Sequence, residues 1–218
     1  MLKNKKHVFW QALLVTILIF SLGLVLGVYL EEIRTDKANV LFYKSEADLF
    51  DTLSLTNLLK LQELSCQDLN KIYIEFADKI YNEVKNIQQF DESAKITHSL
   101  KQIHKKYDLL RTILWININE NKEKCPSIKT IIYLYEYDAK NINKKATQNV
   151  FSKILNEVKE KKGNEFILIP IAVDTEIYSL KLMLETLNIK ETPVIIINHK
   201  YYLNEIVSSE EIELYLEK

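Results

Sequence analysis

The chain opens on an uninterrupted apolar run. VFWQALLVTILIFSLGLVLGVYL, from Val8 to Leu30, carries no charge. At about 1.5 Å of rise per residue, a helix of that length crosses a hydrocarbon core of about 30 Å. Lys3, Lys5 and Lys6 precede the run, and Glu31 and Glu32 follow it. A positive flank stays in the cytoplasm, so the N-terminus is expected inside and the remainder outside. Trp10 and Tyr29 lie near the two ends, where aromatic side chains favour the interface. A cleaved signal peptide is the competing reading. Its apolar core is shorter and a small-x-small site should follow it. GVYLEE offers no such site, so an uncleaved anchor in the cytoplasmic membrane is expected, with the lipid bilayer as its partner and residues 1–7 as a cytoplasmic tail.

The pattern then changes to helical spacing. Residues 45–118 contain neither Pro nor Gly, the two residues that most disfavour helix interiors. Leu69, Ile72, Tyr73, Phe76, Ile80, Val84 and Ile87 recur at steps of three and four, which marks one apolar stripe. Ile96, Leu100, Ile103, Tyr107, Leu110 and Leu114 make a second. Phe90-Asp91-Glu92-Ser93 reads as a break with a new N-cap between them. Two helices with matching stripes and a short connection pack antiparallel. A further helix is expected over 47–64, continuing from the membrane helix as a stalk. Together these make a helical stalk and hairpin over 31–120.

After Asn119 the spacing changes again. ENKEKCPS is a polar loop. KTIIYLYEY (129–137), EFILIPIAV (165–173) and PVIIIN (193–198) are short apolar runs rich in β-branched residues, which suit buried strands. A short fourth strand is expected over 201–203, after a turn at Asn198-His199-Lys200. Helical patterns fall between them over 146–162, which Gly163 is placed to end, and over 176–187, with Asp174-Thr175 as cap. Ser208-Ser209-Glu210-Glu211 opens a last helix with capping residues. The first two strands, separated by a helix, should be parallel with a right-handed crossover. The fold class is therefore α/β.

The order β-α-β-α-β-β-α over 129–218, with Thr192-Pro193 directly before the third strand and the texture IKETPVIIINHKYYL, resembles the thioredoxin-like fold. The layout as a whole is similar to membrane-anchored thioredoxin-like proteins of prokaryotes that present the domain outside the cytoplasm. The resemblance implies a thioredoxin-like domain over 121–218. It also implies a cis Thr192-Pro193 bond, against a base rate of about 5–6% for X-Pro bonds. It further implies a shallow groove for extended peptide beside Thr192 and Pro193. In that family Cys-x-x-Cys falls in the turn after the first strand. Here the turn reads Asp138, Ala139, Lys140, Asn141, Ile142, Asn143, Lys144 and Lys145. It holds no sulfur, and Asn or Lys cannot stand in for a thiolate activated at a helix N-terminus. The family's dithiol chemistry therefore transfers to no residue of this turn, and no catalytic residue, cofactor or metal is assigned.

Composition changes the picture in two places. The formal net charge of −1 argues against a nucleic-acid partner, which usually meets a basic face. Abundant Lys, Ile and Asn, with Arg only at Arg34 and Arg111, suggest an AT-rich genome. The cysteines are Cys66 and Cys125, whose spacing fits neither a redox nor a zinc motif. Helices that carry the chain out and back bring these positions together. In an oxidising compartment a structural disulfide is the natural reading. An exposed redox pair and two free thiols stay open beside it. His98 and His104, six positions apart on one helix, point in different directions and make no metal site. His7 sits before the apolar run and His199 in the hairpin. Tyr133, Tyr135 and Tyr137 alternate along a strand and need no ligand. Lys144 and Lys145 either bind an anion at the helix start or are a solvated first turn.

The functional expectation is a non-catalytic interaction or structural module, outward-facing, whose partner is an extended protein segment or a catalytic thioredoxin-like paralogue. The alternative is a cell-envelope thiol-disulfide oxidoreductase that uses Cys66 and Cys125.

Overall fold

The structure, a computed structural model, describes residues 5–61, 64–91 and 97–218. The chain divides into two compact units, Met1–Asp48 and Leu49–Lys218. Helix α1, Lys5–Leu61, covers both the expected membrane span and most of the helix expected over 47–64. Within it, Val8–Ile33 is long and apolar enough to cross a membrane, and no part of its apolar window is buried by protein. Its 26 residues rise about 39 Å. The expected break at Ser93 lies outside the described residues.

In the second unit, α2 (Cys66–Asp91) and α3 (Thr97–Asn121) form the expected helical pair. Then come β1 (Thr130–Tyr135), α4 (Ile142–Lys162), one 3-10 turn (Gly163–Glu165) and β2 (Ile167–Ala172). They are followed by α5 (Tyr178–Thr186), β3 (Val194–Ile197), β4 (Tyr201–Leu203) and α6 (Ser209–Glu217). The four strands form one mixed sheet in the order β2-β1-β3-β4. β1 and β2 are parallel, with Thr130 opposite Ile167 and Tyr135 opposite Ala172. β3 runs antiparallel to both β1 and β4. The Thr192-Pro193 peptide is cis.

The strands are apolar on both sides because both faces are covered. Ile131 and Tyr133 point into a layer with Phe151, Leu155 and Val158 of α4 and Ile212 and Leu216 of α6. Ile132 and Leu134 point the other way, towards Leu180 of α5 and a set from the helical pair: Leu69, Tyr73, Leu114, Trp115 and Ile118. The helical pair therefore shares its core with the sheet. It packs as part of the second unit, against the sheet. Further along the pair, Ile80, Val84, Ile103, Tyr107 and Leu110 make a smaller core of their own.

Local signals account for the element ends. Gly163 ends α4 with φ of 56°, a conformation that glycine adopts without a Cβ penalty. Ser208 and Glu211 form a reciprocal capping box at the start of α6. Asn198 and His199 both have positive φ, and the Lys200 N–H donates to Ile197 O at 3.0 Å, so the β3–β4 hairpin closes on a primed turn.

β2 is an edge strand, and its backbone alternates direction. The N–H groups of Ile167 and Val173 donate to Lys129 O and Tyr135 O, on the β1 side. The intervening alternate positions, Leu168, Pro170 and Ala172, therefore present their backbone nitrogens outward. Pro170 has no hydrogen to donate, and the Ala172 N–H is taken by Asp108 Oδ1 at 3.3 Å.

Candidate functional site: the turn between β1 and α4

The turn of interest sits beyond the carboxyl end of β1. α4 begins at Ile142, four residues before the expected start, because Asn141 caps it. The Asn141 Oδ1 accepts the Asn143 N–H at 2.9 Å and the Lys144 N–H at 3.2 Å. Two helix-terminal donors are thus already bonded. Lys144 is engaged as well: its Nζ donates to Glu136 Oε1 at 2.5 Å. The same carboxylate oxygen accepts the Thr192 hydroxyl at 3.0 Å. Glu136 therefore ties the turn to the Thr192-Pro193 segment, and the Lys144 hydrogen bond holds its carboxyl below the usual range. Behind it, buried Gln148 clamps the end of β1. Its Nε2 donates to Glu136 O at 2.9 Å, and its Oε1 accepts the Glu136 N–H at 3.0 Å. The Gln148 carbonyl accepts the Tyr133 hydroxyl at 3.0 Å.

Asp174 and Thr175 do not cap α5 as the sequence suggested. The N-cap of α5 is Ile177, with no side-chain hydrogen bond. Asp174 reaches across instead, accepting the Tyr137 and Asp138 N–H groups at 2.8 Å each. Thr175 donates its hydroxyl to Ala172 O at 3.0 Å. Backbone donors on a carboxylate are charge-assisted. Asp174→Ala should therefore cost about 1 kcal/mol, after discounting for solvent that can replace the carboxylate, and should speed exchange of the Tyr137 and Asp138 amides. Unchanged exchange at those two amides would remove Asp174 from the site.

Comparison with protein-family models, with curated proteins and with solved structures finds no match.

α3 contributes a third wall that the sequence reading did not assign. The His104 ring lies 4.7 Å from the Tyr137 ring. One helical turn on, Asp108 is buried and accepts from Arg111 Nη1 at 3.2 Å as well as from the Ala172 N–H. Burial pushes the Asp108 carboxyl up to about 6, against the opposing pull of Arg111. Removing an ion pair from water can cost more than the pair returns. The Tyr135 phenol, beside the same pair, is pushed well above its ordinary value by burial. A polar i, i+4, i+7 row of His104, Asp108 and Arg111 within α3 was the available signal. Around this frame Tyr137, Ile142, Tyr178 and Leu182 are exposed, Ile142 and Tyr178 to 81% and 82%. Asp138 pairs with Lys140 at 2.6 Å. Ala139 is half-buried and Lys145 exposed.

The cysteines lie elsewhere. Cys66 and Cys125 form a disulfide that joins the start of α2 to the loop before β1. That loop is at the opposite end of β1 from the turn, about 20 Å along a six-residue strand. Cys125 is 1% exposed, which closes its sulfur to an incoming thiolate. Among the described residues no group of three His, Cys, Asp or Glu is arranged to hold a metal ion. His199 is half-buried in the hairpin turn, and burial lowers its pKa to about 4.

Proposed function

We propose that this chain is a membrane-anchored protein whose second unit is a thioredoxin-like domain without its dithiol, serving as a non-catalytic docking module outside the cytoplasm. The observation that carries the reading is the turn itself. Four of its N–H groups, those of Tyr137, Asp138, Asn143 and Lys144, are held by Asp174 and Asn141, its Lys144 side chain is held by Glu136, and it contains no sulfur. A fixed surface with exposed Tyr137, Ile142 and Tyr178 suits contact with an extended protein segment. The strand order β2-β1-β3-β4, with an antiparallel third strand following Pro193, supports the thioredoxin-like reading. A disulfide that persists in oxidising compartments supports the outward orientation, as does the lysine-rich flank before Val8.

The test is site-specific photo-crosslinking in the native membrane. A photoreactive residue at Ile142 or Tyr178 should capture a discrete protein partner, whereas one at Leu214, exposed on α6, should not. Equal or absent capture at all three positions would count against docking at the turn. An insulin-reduction assay on the same preparation addresses the oxidoreductase alternative. Turnover that is lost in Cys66→Ser would replace the docking reading.

A further inference from the structure

Beyond the apolar span that ends at Ile33, α1 runs on as one helix to Leu61. That extension rises about 42 Å. Helices in water owe most of their stability to a packed apolar face rather than to propensity. Along the extension Val40, Tyr43, Ala47 and Phe50 follow one another at steps of three, four and three, the a and d spacing of a two-stranded coiled coil. Leu58 lies five helical turns beyond Val40 and so returns to the same side of the helix. Val40, Tyr43 and Phe50 are 66%, 68% and 65% exposed, and Ala47 and Leu58 are exposed as well. Ser54, at the next a position, donates its hydroxyl to Phe50 O at 2.9 Å. That donor is satisfied within the helix, so it can be covered without losing a hydrogen bond to water.

We propose that α1 is a self-association helix: the stripe of Val40, Tyr43, Ala47 and Phe50 packs against the same stripe of a second copy of this chain, parallel and in register. From the proposed function the inference takes only the membrane anchor. Two arguments select a second copy. An anchored span fixes the direction and depth of every copy alike, so the same residue of each copy stands at the same height and the stripe meets itself. A soluble partner has no such constraint. The area also suffices. Covering Val40, Tyr43, Phe50 and Leu58 of both copies removes on the order of 800 Å² from water. The spans continue the same two helices, and no part of their apolar window is buried by protein. Their contact carries the pair past the roughly 1,000 Å² that a specific interface requires.

The test is a cysteine scan of the full chain in native membranes washed with alkaline carbonate. Cys66 and Cys125 are joined to each other, so a short bis-maleimide finds the introduced thiol. Val40→Cys, Tyr43→Cys, Ala47→Cys and Phe50→Cys should give about fivefold more covalent dimer than Ser45→Cys and Leu49→Cys, which fall between the a and d positions. Adding Tyr43→Glu, which would bring a charge into the seam, should lower the Val40→Cys dimer about tenfold. Equal yields at all positions, a maximum at Leu49→Cys, or a Val40→Cys dimer untouched by Tyr43→Glu would each overturn the proposal. A chain that carbonate releases from the membrane would remove the anchor, and the pairing with it. A chain that is retained but shows no periodic crosslinking would reject the pairing alone and leave the anchor standing.

Discussion

Trp115→Ala should destabilise the second unit by about 3–5 kcal/mol, the usual cost of emptying a large aromatic site in a core. The indole is 1% exposed and lies in the layer where the helical pair meets Ile132, Leu134 and the β2 isoleucines. Its Nε1 has no acceptor among the described residues. Trp115→Phe discards that unmet donor and should retain most of the stability. Urea unfolding of the full chain in nanodiscs, followed by far-UV circular dichroism and by exchange of α2, α3 and β1 peptides, reads the result. A single transition, shifted together in all three, is expected if helices and sheet share one core. If α2 and α3 were to melt separately while β1 kept its wild-type stability, the shared core would be refuted.

Removing the disulfide should have an effect of similar size. Cys66 and Cys125 are separated by 59 positions. A crosslink closing a loop of that size restricts the unfolded chain by roughly 4 kcal/mol in the chain-entropy account. For a unit of this length, that is roughly 8–16 °C in the unfolding midpoint. Cys66→Ala/Cys125→Ala and reduction of the wild type should converge on the same lowered midpoint, since both free the same loop. A loss below about 1 kcal/mol would mean that the ends of the helical pair stay together without sulfur.

Much of this architecture is legible along the chain. The apolar run from Val8, the three β-branched strands and the capping box at Ser208 are local patterns, and local patterns survive reading one residue at a time. The cysteine pair was also within reach, because antiparallel helices return the chain to its starting level. What escaped depends on partners far apart in sequence. Asp174 looked like a cap for the helix just after it, yet its bonds are to residues 36 and 37 positions earlier. Asp108 binds 64 positions away. The apolar stripes of α2 and α3 told that each helix is covered, but not that Leu114, Trp115 and Ile118, at the end of the second stripe, face a sheet. The start of α4 was missed for a different reason. Asn141 is a favoured N-cap residue, but it was read as part of a lost active-site turn.

The outward edge of β2 bears on how copies of this chain tolerate one another. In the membrane-anchored arrangement proposed above, a chain meets its neighbours at an effective concentration far above that in bulk, and an open strand edge is then an invitation to polymerise. Along β2 the outward nitrogen of Pro170 has nothing to donate, and that of Ala172 is already claimed by Asp108. A neighbouring strand laid against this edge would find one usable donor, at Leu168, where it needs a continuous row. The geometry thus keeps crowded copies from stitching together along the β2 edge of the sheet.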